Sequence, residues 1–330
     1  FEYIPRPSIA FIVTVPCPRE VVAADFRDRI VHHYIVMKLE PLFEGLKVFH
    51  DDVYSCRVGK GNLAAIERLR DRIWIESRGY TVPCYVASFD LQSFFMSIDK
   101  RRLYDELVAL VQENYFDWDK DYLLYLIRVT TFNSPTEHAI RHSPLSAWDL
   151  LPKHKSLYNL DWFLGHAIGN LPSQTDPNFY NAPFVRWLVG VGLAPVNYVD
   201  DFYLVDRDKE KILAAMPHIR SYLATERGLT LHPHKFELQP AERGFKCLGG
   251  IVKDGEIFVN KRTVSRCYQK IHWYNEEVAT NHRHRAKYAE RFVAILNSYL
   301  GIMSHYSSAA TRRNIAEMVL SRWEGYIVFD

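Results

Sequence analysis

Two hydrophobic periods alternate along this chain, and the changes of period mark its elements. Residues 8–15 (SIAFIVTV) form an apolar run of the β type, closed by Pro16 and Pro18. Over 19–39 the spacing of Val22, Phe26, Ile30 and Ile35 predicts a helix with those residues on one face. A second amphipathic helix is predicted over 62–75, after the turn Gly59-Lys60-Gly61. A strand is expected at 83–90, followed by a helix over 93–112. The stretch 114–166 holds Pro135, Pro144 and Pro152 and few clear periods, so short helices and loops are expected there. A helix over 178–188 leads to a hairpin, 194–199 with 202–205, whose tip carries two aspartates. Residues 212–227 read as a helix stopped by Gly228. Short strands follow at 229–231, 247–252 and 257–259, the last two joined by the turn Lys253-Asp254-Gly255-Glu256. Everything after Arg262 is helical in period.

Composition narrows the class. Hydrophobic residues make up 48% and charged residues 24%, which excludes wholesale disorder. No apolar run approaches the roughly 18 residues that a membrane span needs. Five scattered cysteines without a CxxC pair argue against a disulfide framework or a zinc site and fit a reducing cytosol. The first residue is Phe1, so a fragment or processed form is expected. Net charge is only +2, but between Lys261 and Arg313 ten basic residues face three acidic ones. That excess suits a phosphate-facing surface and equally an ordinary solvated helix face.

Two segments carry chemistry. One is an apolar strand that delivers Asp90 to its end; the other is Tyr198-Val199-Asp200-Asp201. Adjacent carboxylates in a tight turn repel each other, and a divalent cation relieves the repulsion. Hard oxygens with no His or Cys nearby favour Mg²⁺ or Mn²⁺ over zinc. With Asp90 added, the set is what two-metal phosphoryl transfer requires. Taken alone, an Asp-Asp pair such as Asp200-Asp201 is far more often only a polar hairpin turn. The pairs His32-His33, His232/His234 and His282/His284 lack further ligands for a metal, and no GxSxG elbow supports a hydrolase.

These segments resemble motifs of reverse transcriptases. Tyr198-Val199-Asp200-Asp201 is similar to their YxDD box, and the run from Phe89 to Ile98 (FDLQSFFMSI) to their first catalytic motif. Other blocks follow in the family's order: the fingers motif over 19–35, Arg57-Val58-Gly59-Lys60-Gly61-Asn62, and the palm motif Ile168-Gly169-Asn170-Leu171-Pro172-Ser173-Gln174. Next come GLTLHPHKF over 228–236 and Phe245-Lys246-Cys247-Leu248-Gly249-Gly250. Group II intron and retron enzymes carry QGxxxSP where this chain has IGNLPSQ. An aliphatic first residue with SQ resembles the enzymes of diversity-generating retroelements, found in bacteria and their phages.

The resemblance implies an α+β fold, a right-hand polymerase with fingers, a ferredoxin-like palm sheet and a helical thumb. Its expected segments are fingers 1–82 and 100–167, palm 83–99 and 168–260, and thumb 261–330. It implies RNA-directed DNA polymerase activity, error-prone opposite template adenines. Asp90 and Asp200 would bind two Mg²⁺ ions, with Mn²⁺ able to substitute, the Leu91 carbonyl completing one shell and Asp201 more peripheral. Lys235 would protonate the leaving pyrophosphate, or is simply an exposed lysine. Phe95, with Phe94 beside it, would exclude a ribose 2′-hydroxyl. Arg57 and Lys60 would grip the triphosphate, or belong to a solvated turn. Ile168, Gly169, Ser173 and Gln174 would line the nascent base pair, and Leu248, Gly249 and Gly250 would form the primer grip. The implied partners are template RNA, cDNA or primer, dNTPs and a small helical accessory-protein oligomer, in a bacterial cytoplasm without a membrane. Two alternatives remain at the level of sequence: a retron or group II intron enzyme of ordinary fidelity, and a catalytically silent nucleic-acid-binding module.

Overall fold

The computed structural model describes residues 2–15, 17–280 and 284–323. Phe1, Pro16 and His282, named above, lie outside them. In chain order the elements begin with strands β1 (Ile9–Val13) and β2 (Arg19–Ala23), helices α1 (Phe26–Gly45) and α2 (Asn62–Glu76), and strand β3 (Tyr85–Asp90). Helices α3 (Phe94–Ser97), α4 (Lys100–Asn114) and α5 (Lys120–Phe132), strand β4 (Ile140–Arg141) and three 3₁₀ turns lead to α6 (Pro172–Gly190). Then come β5 (Pro195–Tyr198), β6 (Asp201–Asp206), α7 (Lys209–Tyr222), β7 (Glu237–Pro240), β8 (Phe245–Cys247), β9 (Gly250–Lys253) and β10 (Glu256–Val259). Helices α8 (Lys261–Thr280), α9 (His284–Ser304) and α10 (Ala309–Trp323) follow. No described helix is long and apolar enough to cross a membrane.

The chain forms two compact units, Phe1–Gly61 with Ala87–Glu237 and Asn62–Val86 with Leu238–Asp330. In the first, β1 pairs antiparallel with β2, placing fully buried Ala10 opposite fully buried Val22. The helix predicted over 19–39 is therefore a strand followed by a helix. Glu20, 2% exposed, fixes β2 by accepting from Trp148 Nε1, Ser156 Oγ and the Leu157 N–H at 2.6–2.7 Å. With β2 extended, α1 starts late and turns Ile35, Val36, Leu39 and Phe43 inward, leaving Phe26 and Ile30 exposed. The helix predicted over 93–112 is likewise two. Ile98 is extended, and Asp99 caps α4 by accepting from the N–H groups of Arg101 and Arg102. Within 114–166 the structure adds a full helix, α5, with Leu123, Leu126 and Ile127 buried.

The main sheet has the strand order β5-β6-β3-β7. With α4 and α5 among the helices between β3 and β5, and α7 between β6 and β7, this is the split β-α-β arrangement of ferredoxin-like folds. The chain crosses between the two units three times: between Gly61 and Asn62, within β3 and at the start of β7. The β5–β6 hairpin packs through Phe202, which stacks on Phe89 at 5.2 Å and meets Phe184 at 5.1 Å. Arg227, just past α7, forks onto Glu106 of α4 at 2.5 and 3.0 Å, and Tyr180 of α6 donates to the Arg227 carbonyl.

In the second unit β8, β9 and β10 form an antiparallel meander. The strand predicted over 247–252 is broken, because Leu248 (φ 45°) and Gly249 (φ 94°) make a two-residue turn. The turn predicted at Asp254-Gly255 has both residues at positive φ, as a type I′ hairpin needs. Helix α2 packs on β9 and β10. Helices α8 to α10 enclose a core of Ile271, Tyr274, Phe292, Leu296 and Trp323.

Candidate active site

The carboxylates converge in the first unit. Strand β3 ends at Asp90, 6% exposed, and the β5–β6 turn carries Asp200 with Asp201 directly after it. The Leu91 N–H donates to the Asp200 carbonyl at 3.2 Å, and the His232 N–H to the Asp90 carbonyl at 2.8 Å. Those bonds hold three separate segments together at the carboxylates. The Lys235 ammonium donates to Asp90 Oδ2. The other oxygen, Asp90 Oδ1, is buried without a hydrogen-bond partner.

The electrostatics follow from that crowding. Burial first, then the charges of Asp90 and Asp201, push Asp200 up to about 7. Burial and Asp90 push Asp201 up to about 6, with Lys235 opposing. Burial works against the Lys235 charge, but the Asp90 hydrogen bond and the three carboxylates hold its pKa above the ordinary lysine value. Among the described residues no group of three or more His, Cys, Asp or Glu is disposed to hold a metal ion as it stands. The chemistry of the donors nonetheless suits a hard divalent cation: oxygens alone, mutual repulsion, and one buried oxygen left unpaired.

The turn that presents the aspartates is itself strained. Val199 has φ 56°, a left-handed conformation costing a β-branched residue about 1–3 kcal/mol. Three side chains pin it. The Val199 N–H donates to Ser55 Oγ at 3.1 Å, and its carbonyl accepts from Asn181 Nδ2 at 2.9 Å and Asn197 Nδ2 at 3.0 Å. Ser55 in turn donates to Asn178 Oδ1 at 2.5 Å, and Asn178 Nδ2 donates back to the Ser55 carbonyl at 2.6 Å. Sequence reasoning passed over all four residues. The one available signal was Asn197, a poor strand former inside an otherwise apolar strand.

The other expected residues are placed as follows. Phe94 is buried, and half-buried Phe95 meets it edge-on at 5.7 Å. The Phe95 carbonyl accepts from the His166 N–H at 2.7 Å, which ties α3 to the segment bearing Ile168. The Ile168 carbonyl accepts from Val22, and a Cβ on Gly169 (φ 115°) would stand 2.6 Å from Val21 Cγ1. Packing against β2 by itself therefore demands glycine there. Ser173 Oγ donates to the Asn170 carbonyl at 2.5 Å, and Gln174 is exposed on the first turn of α6. Arg57 is engaged internally: its fork binds Glu44 at 2.7 and 2.8 Å, and Nη1 donates to the carbonyls of His50 and Val53. Lys60 Nζ donates to the Asp51 carbonyl at 2.7 Å. Leu248, Gly249 and Gly250 belong to the second unit, at the β8–β9 turn.

A ferredoxin-like sheet bearing carboxylates at a strand end and an adjacent hairpin belongs to a reverse-transcriptase-like polymerase fold. Solved structures that resemble this chain in fold include telomerases. Apo telomerase from Candida tropicalis matches with TM-score 0.56 at 10% identity over 98% of this chain and 63% of that one. Telomerase from Candida albicans, in complex with a fragment of telomeric RNA, matches with TM-score 0.54 at 12% identity over 98% and 64%. A C. tropicalis telomerase truncated of its C-terminal domain gives 0.52 at 11% over 78% and 56%. The likeness is one of fold, and the chain spans less than two thirds of each telomerase. No protein-family model and no curated protein matches the sequence.

Proposed function

We propose that this chain is an RNA-directed DNA polymerase. The observation that carries the reading is Asp90, buried with one oxygen unpaired, beside the raised carboxyls of Asp200 and Asp201. Asp90, Asp200 and the Leu91 carbonyl would hold two Mg²⁺ or Mn²⁺ ions, with Asp201 at their edge. Bound there, the ions supply activation of the primer 3′-hydroxyl and neutralisation of the triphosphate and pyrophosphate. Lys235, kept charged by its neighbours, is the proton donor to the leaving pyrophosphate. Phe95 bars a 2′-hydroxyl and selects dNTPs. In this reading residues 1–82 and 100–167 are fingers, 83–99 and 168–260 palm, and 261–330 thumb. The RNA held by the C. albicans neighbour supports an RNA template here.

The diversity-generating subgroup is part of the proposal, with a small helical accessory protein as partner in a bacterial or phage-infected cytoplasm. It rests on Ile168, whose aliphatic side chain offers the nascent pair no hydrogen bond where related enzymes place a glutamine. Primer extension on a mixed-sequence RNA with Mg²⁺ and four dNTPs, followed by cDNA sequencing, tests both levels. Errors concentrated opposite adenine, and reduced by Ile168→Gln, are expected. Accurate cDNA would leave a polymerase of retron or intron type. RNA binding without product, even with the accessory protein supplied, would leave a silent binding module.

A further inference from the structure

We propose that Ser55, Asn178, Asn181 and Asn197 are positioning residues that lock the Val199 turn and so set where Asp200 and Asp201 stand, and that Arg57 acts through Ser55. The inference rests on the polymerase reading and deepens it. Every polar atom of the Val199 backbone is held by a side chain: its N–H by Ser55, its carbonyl by two amides. Asn197 Nδ2 also reaches the Asp201 carbonyl at 3.2 Å, so one amide spans both sides of Asp200. Ser55, Asn178, Asn181 and Asn197 are each at most 2% exposed. Buried amides in contact with a backbone cannot exchange partners for water, and a turn held this way has one position available. A flip of the peptide before Val199 would break the Ser55 bond, and a flip of the peptide after it both amide bonds, while the residue's own preference is to leave the left-handed region.

The lock is anchored from outside the hairpin. Residues 52–54 run beside β5, with the Asn197 N–H donating to the Asp52 carbonyl and the Tyr54 N–H to the Asn197 carbonyl, both at 2.9 Å. Arg57 staples that segment to Glu44 at the end of α1 and to the carbonyls of His50 and Val53. Its guanidinium is thereby occupied with the segment that carries Ser55, and in this arrangement it serves the carboxylates at a distance rather than a triphosphate.

The two roles separate in kinetics and in metal binding. Ser55→Ala and Arg57→Lys in the full chain are compared with wild type by primer extension and by Mn²⁺ titration without nucleotide, read by electron paramagnetic resonance. Positioning lowers kcat and Mn²⁺ affinity by about 10–100-fold each and leaves the dNTP KM within about twofold. A raised dNTP KM with unchanged kcat and Mn²⁺ affinity would overturn the proposal and return Arg57 to the triphosphate. Val199→Gly supplies a second readout. Glycine sits at φ 56° without strain, so adding it to Ser55→Ala should restore part of the lost kcat and Mn²⁺ affinity. Absence of any rescue would count against the lock. Should Ser55→Ala fail to fold, Arg57→Lys and Asn181→Leu decide by the same measurements. If wild type makes no cDNA even with the accessory protein supplied, the polymerase reading fails, and the Mn²⁺ affinities alone still decide the lock.

Discussion

At the scale of single residues, charge placement separates groups that act from groups that merely cost. Asp90→Asn and Asp200→Asn should each lower primer extension by at least about 10³-fold while RNA affinity stays within a few fold, since neither residue is placed to bind RNA. Filter binding beside gel-based extension checks this; parallel loss of both would point to unfolding. Lys100 is the opposite case. It is 8% exposed, its ammonium donates to the Asn133 carbonyl at 3.0 Å, and burial lowers its pKa to about 8. Because the folded pKa lies below the unfolded one, the unfolded chain holds the proton more tightly between them. The burial cost is thus complete below about pH 8 and fades as pH rises toward the unfolded lysine value near 10.4. Lys100→Met should stabilise the protein by about 1–3 kcal/mol at pH 7 and by much less above about pH 10. Urea melts at the two pH values measure it, and an equal gain at both would remove burial of charge as the cause.

At the scale of elements, the hairpin was legible and its supports were not. Pro195–Tyr198 and Asp201–Asp206 announce themselves by short apolar runs around a polar turn, and the structure pairs Tyr198 with Asp201. The Asp254-Gly255 turn was legible for a similar local reason. Strand β2 was missed because Val22 falls at a spacing that also suits a helix; only its ladder with β1 decides between the two. Ser55 was beyond reach: it meets Val199 across 144 residues of sequence, and Asn178 across 123. Local periods carry no information about such pairs. The hairpin's core is the cheapest place to test how far the site depends on its packing. Phe202 is fully buried between Phe89 and Phe184, so Phe202→Ala should cost about 3–5 kcal/mol. A chemical melt measures that cost, and activity should fall with it because Asp201 immediately precedes the emptied position. Full activity in a destabilised variant would show the carboxylates to be held by the polar lock alone.

At the scale of the whole molecule, a set of exposed basic residues lies on the helices of the second unit. Lys261, Arg262, Arg266, Lys270, Lys287 and Arg291 are all exposed on α8 and α9. Under the polymerase reading they meet duplex phosphates, and each contact releases counterions. Affinity for an RNA–DNA duplex should fall linearly on a logarithmic salt scale, and Arg266→Gln should make that slope shallower by about 1. Fluorescence anisotropy across salt concentrations checks it; an unchanged slope would leave this face solvated and idle. The division into two units also has a consequence in time. Helix α2 buries Ala65, Ile66, Leu69 and Ile73 in the second unit, yet the strands it packs on begin about 170 residues later. At roughly 5–20 residues per second, a ribosome leaves that apolar face without its partners for about 10–35 seconds. During synthesis, then, the apolar face of α2 waits longer than that of α1, whose partners α5 and α6 follow sooner, and α2 is where a holding chaperone would matter more.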